Sequence, residues 1–127
     1  MFYFLEGKPH YPEILTVRSS GYTQEAQKYR MGIYKKVENL TIFGRPVWKR
    51  FEAFQFLFYS GKKCQFWKEN SLVLYKLGDY WLLGNDYTEP RGGIQTINAG
   101  LLTIPQYGWQ VNNGSKWFDD ITVNVTG

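Results

Sequence analysis

Six residues in the second half of the chain have side chains suited to recognising a polar ligand: Trp81, Asp86, Tyr87, Arg91, Trp109 and Trp117. Aromatic rings present flat apolar faces to the C–H faces of a sugar, while carboxylate, amide and guanidinium groups bond its hydroxyls and fix its orientation. Trp109 and Trp117 are expected to face each other across an Asn113-Gly114 turn, whereas Trp81, inside a hairpin, is first of all a core position. Asp86 and Glu89 share one polar loop, read as solvated, with a calcium or sugar-hydroxyl site as the minority reading.

Catalytic chemistry finds little support. His10 is the one histidine, in a proline-flanked segment, so a Ser-His-Asp triad or a histidine metal cluster would rest on a single residue. Asp79, Asp86, Glu89, Asp119 and Asp120 could supply a glycosidase pair, but Asp79 is explained by a turn and Asp119-Asp120 by a connection. Gly92-Gly93 lacks the Lys-Ser/Thr and the following helix of a phosphate loop. Cys64 stands alone, which excludes an internal disulfide and a Cys-rich zinc site. The lone thiol fits a reducing compartment without fixing one. No cofactor, no metal and no enzymatic activity are expected.

The elements that must position these residues are strands. The chain has 127 residues, one domain's worth, and a chain of this size buries roughly two-thirds of its unfolded surface. Residues 1–127 are therefore read as one β domain, with 1–12 as an extended lead. Met1–Leu5 is apolar, but Glu6-Gly7-Lys8-Pro9 interrupts it before a signal core or membrane span could form. The net charge of +4 comes from 15 basic residues scattered among 11 acidic ones, so nucleic acid is permitted but not indicated. Five Trp, ten Tyr and nine Phe make the core aromatic.

Leu72–Asp86 is expected to form a central hairpin turning at Gly78-Asp79 and closing Leu77 onto Tyr80, with apolar residues on both parities. Before it, residues 13–19 alternate as a strand, and 23–31 has the composition of one short surface helix capped by Thr23. Residues 32–37 and 45–50 read as strands around a 38–44 loop. The aromatic run 51–59 is expected to turn back at 60–63 into 64–68. Beyond the hairpin, 93–97 is a short strand, Asn113-Gly114 a type I′ turn, and 121–126 a final alternating strand. About nine to eleven strands at this spacing imply an all-β antiparallel sandwich or barrel with at most one short helix. Ile14–Gly21 and Ile121–Gly127 share a pattern that fits either ordinary strands or one unit of a tandem array.

Gly32-Ile-Tyr34, Gly44-Arg-Pro-Val-Trp48, Trp81-Leu-Leu-Gly-Asn-Asp86, Gly92-Gly-Ile94 and the Gly108-Trp109 to Trp117 hairpin, in that order, resemble a β-rich module often tandem in predicted eukaryotic multidomain proteins. The resemblance spans about residues 32–126, with 51–75 longer than its pattern, and carries over no functional residue. The expected function is thus a nonenzymatic recognition module, carbohydrate-binding or adhesive. The alternative is a protein-interaction or structural repeat unit capable of self-association. Single-stranded nucleic-acid binding ranks third, for want of an RNP-type motif.

Overall fold

Runs of β-branched and aromatic residues broken by Gly, Asn and Asp form one antiparallel sheet, with two short strand pairs beyond it. The computed structural model describes residues 10–51, 53–60, 62–64, 67–68, 71–72, 76–88 and 92–127, and the backbone alone for those between 62 and 78. In chain order the elements are β1 (Ile14–Arg18), α1 (Tyr22–Ala26), a 3-10 turn (Lys28–Arg30), β2 (Gly32–Ile42), β3 (Arg45–Arg50), β4 (Phe56–Tyr59) and β5 (Lys62–Cys64). There follow β6 (Trp67–Lys68), β7 (Ser71–Leu72), β8 (Lys76–Gly78), β9 (Trp81–Gly84), β10 (Ile94–Thr96), β11 (Trp109–Asn112), β12 (Trp117–Asp119) and β13 (Asn124–Thr126).

Nine strands join in the order β12-β11-β10-β9-β4-β3-β2-β1-β13, curled into a half-barrel. The curl follows from chain length. Laid flat, nine strands would span about 38 Å. Yet β12 and β13, at opposite edges, are joined by residues 120–123 alone, a link that reaches at most about 18 Å. The sheet must therefore roll until its edges approach. Val125 N–H donates to Gln106 O at 2.9 Å, tying the last strand to the connection before β11. The related-looking stretches near the two termini are neighbours in this sheet, Val17 opposite Val125.

The expected central hairpin turns elsewhere. Leu77 pairs with Lys63, not Tyr80, and Ser60 N–H donates to Tyr80 O. One register runs from Phe56↔Gly84 through Tyr59↔Trp81 to Cys64↔Lys76, so the chain does not reverse at 60–63 either. β4 and β9 are apolar on both parities and every residue of both is buried. Pairing them together gives both a partner, which a turn at Gly78-Asp79 would forbid. Asp79 keeps a positive φ of 76°, and its carboxylate accepts the Tyr59 hydroxyl. Burial first, and that carboxylate second, push the Tyr59 phenol up to about 12, against the opposing charge of Arg45, whose guanidinium lies 3.8 Å over the ring.

Three further expectations change. The 38–44 loop is instead strand and a two-residue turn, Phe43-Gly44, with both φ positive at 52° and 76° and Ile42 opposite Arg45; this is type I′ geometry. At Asn113-Gly114 the strands pair at Asn112↔Trp117, leaving a four-residue loop held by Asn side chains: Asn113 Oδ1 accepts from Ser115 and Lys116 N–H. The 23–31 segment is one turn of α-helix plus a 3-10 turn; it lies at the surface with Glu25, Ala26, Lys28 and Tyr29 exposed, but one side of it is turned inward. Thr23, Gln27 and Arg30 are buried because tertiary partners satisfy their polar groups.

Inside the curl, Leu15, Val17, Tyr34, Trp48, Leu57, Trp81, Leu83, Trp109 and Val111 form the main core. Trp81 packs edge-on against Tyr59 and Trp48, at 5.2 and 6.1 Å between centroids. Each buried indole N–H donates to a segment crossing the curl: Trp48 to Pro12 O at 2.9 Å, Trp81 to Leu101 O at 3.0 Å, Trp109 to Pro105 O at 3.2 Å. A smaller cluster, Val47, Phe56, Phe58 and Leu82, lies on the outer face. Trp81→Ala should cost about 3–5 kcal/mol in urea unfolding, because it leaves a cavity and frees Leu101; Trp117→Ala, at a half-buried position, should cost less.

Candidate functional site

The loops at the end of the barrel where β3, β9 and β11 stop are drawn together by one buried cation. Arg30 is 8% exposed. Its Nε donates to Gln55 Oε1 at 2.8 Å, its Nη2 to Asn85 Oδ1 at 2.8 Å, and its Nη1 to Gln27 Oε1. Gln27 in turn donates through Nε2 to Gly93 O at 3.1 Å and Asn112 O at 3.2 Å. Four connections thus meet at two side chains from the 19–31 segment. All three acceptors of the guanidinium are neutral amides, and among the described residues no carboxylate pairs with it. Burial lowers its pKa from the ordinary arginine value, but a guanidinium keeps its proton.

This network explains Gly93, and close approach to the β9 backbone explains Gly92. A Cβ on Gly93 would overlap Arg30 Nη1 and Gln27 Oε1, and one on Gly92 would overlap the Leu83 carbonyl. The glycines admit these close contacts, as backbone approach often requires.

Beside the hub opens a cleft of about 340 Å³, bordered by Tyr22, Gln27, Tyr29, Arg30, Asn112 and Asn113. Tyr29 and Tyr22 are exposed, and the Arg30 guanidinium carbon sits 4.9 Å from the Tyr29 ring centroid. Tyr22 is propped edge-on by Phe118 at 5.0 Å. The cleft thus has two tyrosine faces, amide groups and a cation that, among the described residues, pairs with no acid.

The residues singled out in the sequence do not meet in one place. Trp81 and Trp109 are fully buried and present no face to solvent. Trp109 and Trp117 do not face each other. Trp117 lies opposite Asn112, and Trp109 shares the inward parity of Val111, so the two indoles stand on opposite faces of the sheet. Tyr87 packs its ring 5.1 Å from Phe56, covering the outer cluster. Asp86, exposed, accepts Thr88 N–H at 2.9 Å and Thr88 Oγ1–H at 2.6 Å, an Asx turn. Arg91 and Glu89 lie outside the described residues, as does Met1–Leu5, while Cys64 lies in β5. His10 is exposed. Tyr22, Tyr29, Arg30 and Asn112 were not anticipated. Their one sequence signal is a polar segment, 22–30, holding two tyrosines and an arginine between two strands.

The neighbouring carboxylates are structural. Asp120 Oδ2 accepts from Thr23 N–H at 3.1 Å and Thr23 Oγ1–H at 2.6 Å, and Oδ1 from Thr122 N–H at 2.9 Å and Thr122 Oγ1–H at 2.7 Å. Burial raises its pKa, but these four bonds together outweigh burial and hold the carboxyl below its ordinary value. Asp119 is exposed and turned away, 3.4 Å from Gln110 Nε2.

Arg30→Met should cost about 3 kcal/mol, because it strands the two buried amide oxygens of Gln27 and Gln55; chemical unfolding measures it. Asp120 has a lower pKa folded than unfolded, so its contribution is full above about pH 4 and is lost as pH falls through the native value. Asp120→Asn should accordingly flatten the acid limb of a stability-versus-pH curve and cost about 1–3 kcal/mol at neutral pH.

Comparison with known proteins finds no matching family model, no similar curated protein and no similar solved structure.

Proposed function

We propose that the protein is a noncatalytic recognition module that binds carbohydrate in the cleft of Tyr22, Tyr29, Arg30, Asn112 and Asn113. The observation that carries this reading is Arg30: a buried cation, bonded only to neutral amides among the described residues, at the wall of a cleft flanked by exposed tyrosines. A ligand hydroxyl or carboxylate at that wall would complement a charge that no carboxylate among the described residues pairs with. Tyrosine rings suit the C–H faces of a sugar, and the amides of Asn112 and Asn113 suit its hydroxyls. The site sits away from Trp81 and Trp109, which support the barrel beneath.

A glycan-array screen of the folded chain tests the reading. Saturable binding is expected, weakened about tenfold in Tyr29→Ala and in Asn113→Ala, the scale of one lost aromatic or polar contact. Tyr29 is exposed, so Tyr29→Ala should keep the wild-type unfolding transition, while Asn113→Ala, which also loses the bonds to Ser115 and Lys116 N–H, should lower it by about 1 kcal/mol and is compared at full folding. A folded sample that binds no glycan, or binding untouched by both substitutions, sinks the proposal and moves the reading to a protein-interaction or structural unit.

A further inference from the structure

The outer face of β1–β3 has a character the cleft does not use. Thr16 pairs with Ile33, Ile14 with Lys35 and Lys35 with Lys49. The buried residues between them, Leu15, Val17, Tyr34 and Trp48, point into the curl. Ile14, Arg18, Ile33, Lys35 and Lys49 therefore share the outer face. Phe51 N–H donates to Ile33 O at 3.0 Å, which sets the loop after β3 at the end of this row. There Phe51 is 69% exposed and Phe54 76%, with Lys49 Nζ 4.9 Å from the Phe54 ring centroid. The described residues at these outward positions include no carboxylate. The sequence of the 49–54 segment holds one acid, Glu52, beside Lys49 and Arg50.

We propose that this face docks the protein on an anionic phospholipid surface, Phe51 and Phe54 entering the headgroup boundary and Arg18, Lys35 and Lys49 meeting lipid phosphate and carboxylate. Two exposed phenylalanines in one loop, with Lys49 beside Phe54 and further cations on the same face, match both layers of such a surface. The outward positions flanking Lys35 on β1 and β2 include Ile14 and Ile33, which enter an interface but cannot stack on bases, and this favours lipid over single-stranded nucleic acid. The docking is peripheral: among the described residues no helix is long and apolar enough to cross a membrane. With two rings and three cations the attachment is weak and salt-sensitive.

Co-sedimentation with vesicles rich in phosphatidylserine, against pure phosphatidylcholine vesicles and protein alone, tests the proposal. The protein should pellet with the anionic vesicles only, and less as salt rises. Phe51→Ser with Phe54→Ser should weaken binding about tenfold or more. Lys35→Gln and Lys49→Gln should each weaken it roughly fivefold. All four positions are exposed or half-buried, and circular dichroism confirms folding. No pelleting, equal pelleting on neutral vesicles, or full binding by the phenylalanine variant overturns the proposal. So does capture of a single-stranded oligonucleotide without vesicle binding, or self-association abolished by the same variant. The glycan cleft lies elsewhere, so Tyr29→Ala should leave vesicle binding unchanged; a parallel loss would assign both activities to one surface and overturn the proposal.

Discussion

A guanidinium held by three neutral amides fixes one end of this molecule. Arg30 and Gln27 come from a short segment with little helical stability of its own, since one turn of α-helix and a 3-10 turn are far below the length at which helices persist alone. Their bonds reach the loop after β3 through Gln55, the loop after β9 through Asn85, and the backbone at Gly93 and Asn112. Buried polar networks of this kind are costly when half made and rigidifying when complete. The segment, Gly93 and the positions of the loop tips all depend on it.

The other end is secured differently. Three buried tryptophans donate their indole N–H groups to Pro12, Leu101 and Pro105, so the lead segment and the long connection before β11 are tied to the core by hydrogen bonds as well as contact. The aromatic content is thus spent mostly on a curled sheet. A half-barrel joined at its edges by residues 120–123 has a wide interior, and large rings fill it.

These constraints separate scaffold from surface. With Trp81 and Trp109 inside, the proposed recognition rests on side chains that the scaffold holds outward: the tyrosines beside the Arg30 hub at the loop end, and the phenylalanines and lysines on the outer face of β1–β3. The first surface is polar and concave, the second basic and apolar. The first is built from loop segments around the Arg30 hub, the second from alternate residues of strands whose other side is core.

The all-β class and most strand positions were legible in the sequence, because alternation and turn residues are local signals: 14–18, 45–50, 81–84 and 94–96 fall where the pattern puts them. Pairing was not. Gly78-Asp79 has turn chemistry, but β4 and β9 are apolar on both faces and can be buried only against each other, a preference that local propensity cannot express. Asn113-Gly114 likewise has hairpin chemistry, but the strands close at Asn112↔Trp117, and strand alternation puts Trp117 on the face opposite Trp109. The cleft was the least legible part, since a polar segment reads as solvated until its partners, 25 to 85 residues away, are in place. The amino-acid order by itself determined that the chain makes an aromatic β sheet with few helical residues. Tertiary structure alone decided which aromatics became core and which polar residues were drawn inward, because burial and hydrogen-bond satisfaction are set by contacts distant in the chain.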